Sequence, residues 1–418
     1  MENKNQWRSG FGFVMASIGA ALGLGNIWGF PYRMGESGCF AFLLFYLIFV
    51  LFAGFPVLLA ELAIGRQGGA SAPEAYGRYG RLYRWAGIAS IAACMLILSY
   101  YCFFGGMLFQ AVFEQLGVHF GGGVFWTVVF ITVSAAIVLK GVQRGIESFS
   151  KVMIPLLMLM LLFIVFYTLS DGQVRRELAR LMKPRAEDLG PEAASSALAQ
   201  VFFSMSLGQG CMLVCGAYQR RGGSLFSQAW LIPFFDTLTA VMAAVAILPA
   251  AAVKGIDPGC GPALLFDAVP RIFGSGRLGG LLTLLFFLLV LLAAITSVIS
   301  MIETPAAALS ARTGMKRPAA AALVSAAAFL LGLPVSLSYN AGSFWLNVYE
   351  FIAEYLLIIL VSVASCAAVV FAGRKEAVKS VFGRDCLMGR IWLFVLKYIT
   401  PVLLLLVIAS FIFTRVMG

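Results

Sequence analysis

Eleven apolar runs with few charged residues follow one another along the 418-residue chain. A helix needs about 20 apolar residues to cross the hydrocarbon core of a bilayer, and each run reaches or nearly reaches that length. They lie at residues 9–32, 37–60, 85–113, 122–139, 150–170, 194–218, 225–253, 278–311, 319–337, 344–372 and 389–414. We therefore predict an all-α polytopic membrane protein with eleven transmembrane helices, called spans 1 to 11 below.

The composition excludes several other classes of protein. Hydrophobic residues make up 61% of the chain and charged residues 12%, against about 45–50% and about 25% in soluble domains. Disordered chains and small disulfide scaffolds are excluded by the same figures. A net charge of +11 would suggest a nucleic-acid partner in a soluble protein. In a membrane protein it fits basic cytoplasmic loops, so we expect a lipid bilayer and no nucleic acid as partner.

The basic residues also predict the orientation of the chain. With a cytoplasmic N-terminus, the inner segments hold 19 basic residues and the outer segments hold ten. Because cytoplasmic loops are enriched in Lys and Arg, this split places the N-terminus inside and, with eleven spans, the C-terminus outside. Lys397 lies within span 11, from which its long side chain can reach the inner surface.

Two spans carry glycines and polar residues where a spanning helix would be continuous. Span 1 has Gly19, Gly23 and Gly25 followed by Asn26, and span 6 has FFSMSLGQG at 202–210. Gly19 and Gly23 form a G-x-x-x-G pair, which by itself indicates close helix packing. The recurrence five spans later favours discontinuous helices in two inverted repeats, an arrangement that forms a binding site at the membrane midplane.

Unwound backbone inside a membrane restricts what such a site can bind. Its N–H and C=O groups need polar partners, because no bulk water is available there. Helix N-termini attract a carboxylate, whereas carbonyls at helix C-termini attract a cation. Two broken helices that face each other therefore suit a zwitterion bound together with a hard cation.

Several motifs resemble the neurotransmitter:sodium symporter family, in particular its eleven-helix bacterial amino-acid transporters. They are WRSGFGFVMASIGAALGLGNIWGFPY at 7–32, GFPVLLAELAIGR at 54–66, KGVQRGIESFSKVMIP at 140–155, FFSMSLGQG at 202–210 and AITSVIS at 294–300. The resemblance implies the leucine-transporter fold, a 5+5 inverted repeat in which spans 1 and 6 are broken. It divides the chain into a first repeat at 1–170, an outer loop at 171–193, a second repeat at 194–373, and a cytoplasmic loop with span 11 at 374–418.

The function implied by this resemblance is sodium-coupled import of a neutral amino acid by alternating access, without enzymatic activity. A bacterial inner membrane is implied because the loop at 114–122 lacks the cysteine pair of eukaryotic relatives. A monomer would suffice for transport, and a homodimer is compatible with it. Proton coupling through buried acids and a non-transporting amino-acid sensor stay open as alternatives. The chain has no H-E-x-x-H or G-x-S-x-G motif to indicate a membrane enzyme.

The resemblance also implies two sodium sites. The first matches the Ala21 carbonyl, Asn26, Ser204 and Asp236. The second matches the carbonyls of Gly19, Leu22 and Ala293 and the hydroxyls of Thr296 and Ser297. A Thr–Ser pair in an apolar helix can instead bond to carbonyls of its own helix.

Asp236 departs from the family pattern, which usually has Asn at this position of span 7. Relatives supply negative charge near the first sodium ion with chloride or with an acid one turn further along, where this chain has Ala240. We expect Asp236 to supply that charge, so that chloride is not required. The alternative is that the alignment of span 7 is shifted by one turn.

The amino-acid site implied by the resemblance lies around the break in span 1. Gly23, where amine transporters of the family have Asp, leaves room for a substrate carboxylate, to which Tyr101 would donate while Phe203 closes over it. Gln209 replaces an apolar residue, and a buried amide needs partners, so the substrate is partly polar or water enters the pocket. The full set is Ala21, Gly23, Leu24, Gly25, Ile97, Tyr101, Phe203, Ser204, Ser206, Gln209, Ser297, Ser300 and Met301.

The gates implied by the resemblance are altered in this chain. On the outer side Gly29 stands where relatives have Arg, so Arg33, one turn further, is the expected partner of Glu350. On the inner side the stretch SARTGMKR at 310–317 lacks the family's acid. The remaining inner-gate residues are Lys4, Trp7, Tyr218 and Glu303.

Two further features concern the support of the broken helices. Gly145 and Pro155 are separated by nine residues, as in the family motif that unwinds span 5 and admits water to the second sodium site. A helix junction followed by a kink is the alternative, since both residues destabilise helices. Glu61 in span 2 resembles a family Glu that ties down the broken helices.

Overall fold

The structure is a computed structural model that describes residues 6–219, 224–257, 266, 268–274, 276–339 and 342–406. The described residues form helices and no strands. In chain order the helices are α1 (Gly10–Ala21), α2 (Gly25–Glu36), α3 (Cys39–Gly68), α4 (Ala72–Gly77), α5 (Tyr83–Gln115), α6 (Gly123–Leu139), α7 (Val142–Leu169), α8 (Gly172–Leu181), α9 (Pro191–Ser204), α10 (Cys211–Ala217), α11 (Phe226–Val253), α12 (Val269–Phe273), α13 (Arg277–Thr313), α14 (Arg317–Ser338), α15 (Phe344–Ala372), α16 (Arg374–Phe382) and α17 (Leu387–Leu406).

The predicted all-α membrane architecture is confirmed. Among the described residues, eight helices are long and apolar enough to cross a membrane, and the bent pair α1–α2 adds a ninth. The remaining predicted spans are shorter in the structure, because α6 has 17 residues and span 6 is divided between α9 and α10. The number eleven therefore stays a prediction.

Both predicted breaks are present. The axis bends by 55° between α1 and α2, where Leu22 leaves the helical region with ψ of 115°. Between α9 and α10 the chain unwinds over 205–210. Ser206, Gly208 and Gly210 all have positive φ there, a conformation that glycine adopts readily and that is uncommon for serine.

Both parts of each broken helix pack against the same continuous helix of the other half of the chain. Both α9 and α10 pack against α3, whereas both α1 and α2 pack against α11. Helix α13 passes through the centre of the bundle and packs against α1, α5, α7 and α14. An inverted repeat predicts this exchange of partners, and the two breaks lie close together, since the Ser206 hydroxyl bonds to the Ala20 carbonyl.

The packing of α3 against α10 predicts a specific stability defect. A Cβ added at Gly65 would lie 1.8 Å from the carbonyl oxygen of Leu213, which is backbone and has little freedom to move away. Overpacking of this kind costs about 1–3 kcal/mol, so Gly65→Ala should lower the melting temperature of the detergent-solubilised protein. Gly280→Ala is the matched control, because a Cβ there meets nothing within 4 Å. Equal melting temperatures for the two variants would contradict this packing.

Candidate functional site

The backbone groups freed by the break in span 1 are bound by side chains. The Leu24 N–H donates to the Tyr101 hydroxyl at 2.6 Å, and the Gly23 N–H donates to Asn26 Oδ1 at 3.0 Å. A Cβ at Gly23 would lie 2.1 Å from the Tyr101 hydroxyl and 2.6 Å from Ser297 Oγ, so a glycine is needed here. Tyr101 accepts this bond through its hydroxyl oxygen.

The break in span 6 is tied to spans 1 and 2. The Gly208 N–H donates to Glu61 Oε1 at 2.7 Å, and the Ser206 hydroxyl donates to the Ala20 carbonyl at 2.8 Å. Glu61 is fully buried, and its Oε2 has no hydrogen-bond partner among the described residues. Glu61 therefore contacts the broken segment directly, in the manner that the sequence predicted.

The residues predicted for sodium site 1 meet in a buried polar cluster. Asn26 Nδ2 lies 2.8 Å from Ser204 Oγ and 2.7 Å from Asp236 Oδ1, and Tyr46 donates to Asp236 Oδ2 at 3.0 Å. Asn26 and Asp236 are fully buried. Ala21 lies nearby, lining the same small cavity as Ser204. The amide nitrogen donates to oxygens that the prediction assigns to a cation, so rotation of the amide would turn a further oxygen ligand inwards.

The residues predicted for sodium site 2 also converge. The Ser297 hydroxyl lies 2.7 Å from the Leu22 carbonyl and 3.4 Å from the Gly19 carbonyl, both at the end of α1. Thr296 bonds to the Ala293 carbonyl of its own helix at 2.8 Å. Thr296 therefore bonds within its own helix α13, which was the alternative to a sodium site. The Ser297 hydroxyl instead bonds to carbonyls at the end of α1.

A cavity of about 10 Å³ lies between the two breaks, which is room for about one water molecule. It is lined by nine of the predicted substrate residues, namely Ala21, Gly23, Gly25, Tyr101, Phe203, Ser204, Ser206, Ser297 and Met301. Leu24 instead lines the larger cavity outside it. Ile97, Gln209 and Ser300 are buried but line neither cavity. Neither amide atom of Gln209 has a hydrogen-bond partner among the described residues.

A vestibule of about 370 Å³ lies on the side of Tyr101 and Phe203 that is predicted to face outwards, and these two residues line both cavities. The ion pair expected between Arg33 and Glu350 is replaced by one between Arg33 and Glu354, with 3.4 Å between nitrogen and oxygen. Tyr100 donates to Glu354 Oε1 at 2.9 Å and holds that carboxylate in place. Glu350 lies one turn away and lines the same vestibule.

At the end of the bundle that is predicted to face the cytoplasm lies an ion pair that the sequence did not predict. Arg317 forms a bidentate contact with Glu303, to which the Tyr218 hydroxyl donates at 2.5 Å. Trp7 packs edge-on against Tyr218 and donates from its indole to the Cys215 carbonyl at 2.9 Å. Lys4, also predicted for this gate, lies outside the described residues. The acid missing from the loop after α13 is thus replaced by Glu303 within α13.

The start of span 5 is helical in this structure. Residues Val142–Glu147 form a wide π-helical turn that contains Gly145, and Pro155 lies inside the helix that follows. Glu147, fully buried, accepts from the Arg8 backbone N–H at 2.7 Å and pairs with Lys151 at 2.5 Å. The segment therefore contacts the start of span 1 through Glu147, a contact that the motif at 140–155 does not by itself indicate.

The match to a family model agrees with this geometry. The model of the sodium:neurotransmitter symporter family matches residues 4–116 and 103–417. The chain therefore belongs to that family, and it is a sodium-dependent, multi-pass membrane transporter rather than an enzyme.

Individual relatives cover most of the chain. The uncharacterized sodium-dependent transporter YhdH of Bacillus subtilis is 33% identical over 356 residues, 80% of this chain and 79% of that protein. An uncharacterized sodium-dependent transporter of Haemophilus influenzae is 27% identical and covers 99% of both chains. The crystal structure of MhsT in complex with L-phenylalanine is 32% identical, with a TM-score of 0.89 over 97% of this chain and 99% of MhsT.

The inner ion pair predicts how a single substitution shifts the gate. Removing one partner of a buried ion pair costs about 3–5 kcal/mol, so Arg317→Gln should destabilise the closed inner side. Cys215, buried behind Trp7, should then react faster with a maleimide, as measured by peptide mass spectrometry. Arg312→Gln is the control, because Arg312 is exposed at the end of the same helix as Glu303. An unchanged Cys215 labelling rate in Arg317→Gln would contradict a gating role.

Proposed function

We propose that this protein is a symporter that couples the import of a neutral amino acid to two sodium ions. The observation that carries the proposal is the convergence of two broken helices on one small cavity lined by backbone and hydroxyl groups. The helix ends that meet at this cavity suit the charged ends of a zwitterion, because half-helix ends carry partial charges of both signs. MhsT, a relative of matching fold, was crystallised with L-phenylalanine. We further propose a bacterial inner-membrane location with the N-terminus inside.

Two ions are proposed because two separate oxygen clusters flank the cavity. One contains Ser204 and the Asp236 carboxylate, and the other contains the Ser297 hydroxyl beside the Leu22 carbonyl. At about 100 mV one charge gains roughly 2.3 kcal/mol, and a tenfold sodium gradient adds about 1.4 kcal/mol. One ion would then support accumulation of several hundred-fold, and two ions on the order of 10⁵-fold.

Chloride is not required under this proposal, because a buried carboxylate already lies where negative charge is needed. Asp236 accepts hydrogen bonds from Asn26, Ser204 and Tyr46, which hold its carboxyl group beside the residues of the first proposed sodium site. A bound sodium ion would be balanced directly by this charge. Ala240 lies one turn further along α11 and carries no charge.

The altered gates are compatible with transport rather than with sensing alone. Arg33–Glu354 on the outer side and Arg317–Glu303 on the inner side are two separate ion pairs on opposite sides of the cavity. A transporter needs one gate that can open while the other is closed. We therefore favour transport over the sensor.

The proposal predicts uptake that depends on a sodium gradient. Proteoliposomes containing the purified protein should accumulate one or a few of the twenty labelled amino acids when sodium is imposed outside. Potassium or proton gradients should not drive accumulation. Binding of an amino acid without uptake under any gradient would contradict the proposal and leave a sensor. Uptake driven by a proton gradient alone would contradict sodium coupling.

Asp236 predicts the anion dependence of uptake. Wild-type uptake should be equal in sodium chloride and sodium gluconate. Asp236→Asn should lower uptake in gluconate by roughly tenfold or more, with recovery in chloride, because the anion replaces the lost charge. Adding Ala240→Glu to this variant restores an acid one turn away and should remove the chloride requirement. If chloride has no effect on Asp236→Asn, the role proposed for this carboxylate is contradicted.

Gln209 predicts the polarity of the substrate side chain. A buried amide without partners costs about 1–3 kcal/mol. Gln209 lines neither cavity in this structure but lies in the unwound stretch 205–210, so we propose that substrate binding rearranges this stretch and that a polar group of the substrate or a water molecule then pairs with the amide. Gln209→Met should shift the substrate preference towards purely apolar amino acids, measured as the ratio of initial uptake rates. Gln110→Met is the control, since Gln110 pairs with Glu114 on α5. An unchanged ratio in Gln209→Met would exclude this residue from substrate selection.

A further inference from the structure

A second large cavity lies away from the transport pathway, at the predicted cytoplasmic end of the bundle. It encloses about 700 Å³ between the end of α3, the turn after α4, and α16, within the volume range of ligand pockets. The Ser224 hydroxyl donates to the Val381 carbonyl at 2.7 Å, which joins α16 to the segment that follows α10. The cavity therefore lies at the same end of the bundle as the inner gate.

The charge of the lining is positive. Arg66, Arg78 and Lys379 contribute three cations against the single carboxylate of Glu376, a net charge of +2. Arg66 donates to the Ser380 carbonyl at 2.9 Å and so helps to fix α16 against α3. Lys379 is exposed on the rim, where its flexible ammonium can reach an entering anion.

The wall also holds polar groups that lack partners. The Tyr79 hydroxyl donates to Gln67 Oε1 at 3.0 Å, and burial raises the pKa of Tyr79 to about 12, so this donor stays protonated at neutral pH. With its oxygen bound in this way, Gln67 presents its amide nitrogen as a donor. That nitrogen and the hydroxyl of Ser380 are buried and have no partner among the described residues.

We propose that this cavity binds a phosphate-bearing anion, such as the phosphodiester headgroup of an acidic lipid. Guanidinium, ammonium, amide and hydroxyl donors converge on it, and these are the groups that recognise phosphate oxygens. Basic pockets between helices at the cytoplasmic surface suit acidic headgroups, because that leaflet is negatively charged. A bound anion would bridge α3 and α16 and add to the stability of this end of the bundle.

The test is lipid binding to the purified protein in detergent, measured by native mass spectrometry with phosphatidylglycerol and with phosphatidylcholine. The wild type should bind phosphatidylglycerol roughly tenfold more tightly, the effect of one charge-assisted contact. Lys379→Gln should lose most of this preference for phosphatidylglycerol. Arg78→Gln, which removes a cation from the other wall of the cavity, should lose it as well. Lys375 lies on the same helix but does not line the cavity, so the Lys375→Gln variant should bind both lipids as the wild type does.

Inorganic phosphate separates the two sources of the anion. Displacement of phosphatidylglycerol by phosphate, with a Lys379-dependent rise in melting temperature, would assign the site to a soluble anion. Lipid binding that phosphate does not displace would assign it to a headgroup. Equal binding of the two lipids with no effect of phosphate would overturn the proposal. It would also be overturned if the double variant Arg78→Gln/Lys379→Gln bound phosphatidylglycerol as tightly as the wild type does. These outcomes do not depend on transport activity.

Discussion

Two helices that break inside a membrane leave backbone N–H and C=O groups without partners in their own helix. The surrounding side chains of the site supply hydrogen bonds to these groups. Several of these groups are bound by side chains from other helices. Tyr101 holds the Leu24 N–H, Glu61 holds the Gly208 N–H, and Ser297 holds the Leu22 carbonyl. Because an unpaired group in the bilayer core costs several kcal/mol, these contacts determine how the breaks can be arranged.

Ser297 and Asn26, which bond to backbone groups at the break in span 1, are also proposed ligands of the coupling ions, and this links ion binding to the conformation of the break. The Ser297 hydroxyl can donate to a carbonyl or offer its oxygen to a cation, and the Asn26 amide can face the site with nitrogen or oxygen. An ion arriving at either cluster therefore exchanges hydrogen bonds between α1 and its neighbours. The ion pairs at Arg33 and Arg317 lie on opposite sides of these clusters.

The sequence predicted the fold and the breaks more fully than the gates. Apolar runs and the repeated glycine–serine pattern are local signals, so the spans and the residues around Gly23 and Ser206 could be read directly. The pairing of Arg317 with Glu303 could not, because it depends on how two helices separated by a turn are oriented. Glu354 replaced Glu350 as the partner of Arg33 for the same reason, since one helical turn decides which carboxylate faces the guanidinium.

The central claim is that sodium ions and an amino acid bind together at the two breaks. Its most direct test is the melting temperature of the purified protein with each of the twenty amino acids, in equal concentrations of sodium chloride or potassium chloride. The account predicts that at least one amino acid raises the melting temperature in sodium and not in potassium, and that Ser297→Ala weakens this effect. Equal stabilisation in both salts would show that amino-acid binding is independent of sodium and would contradict the account.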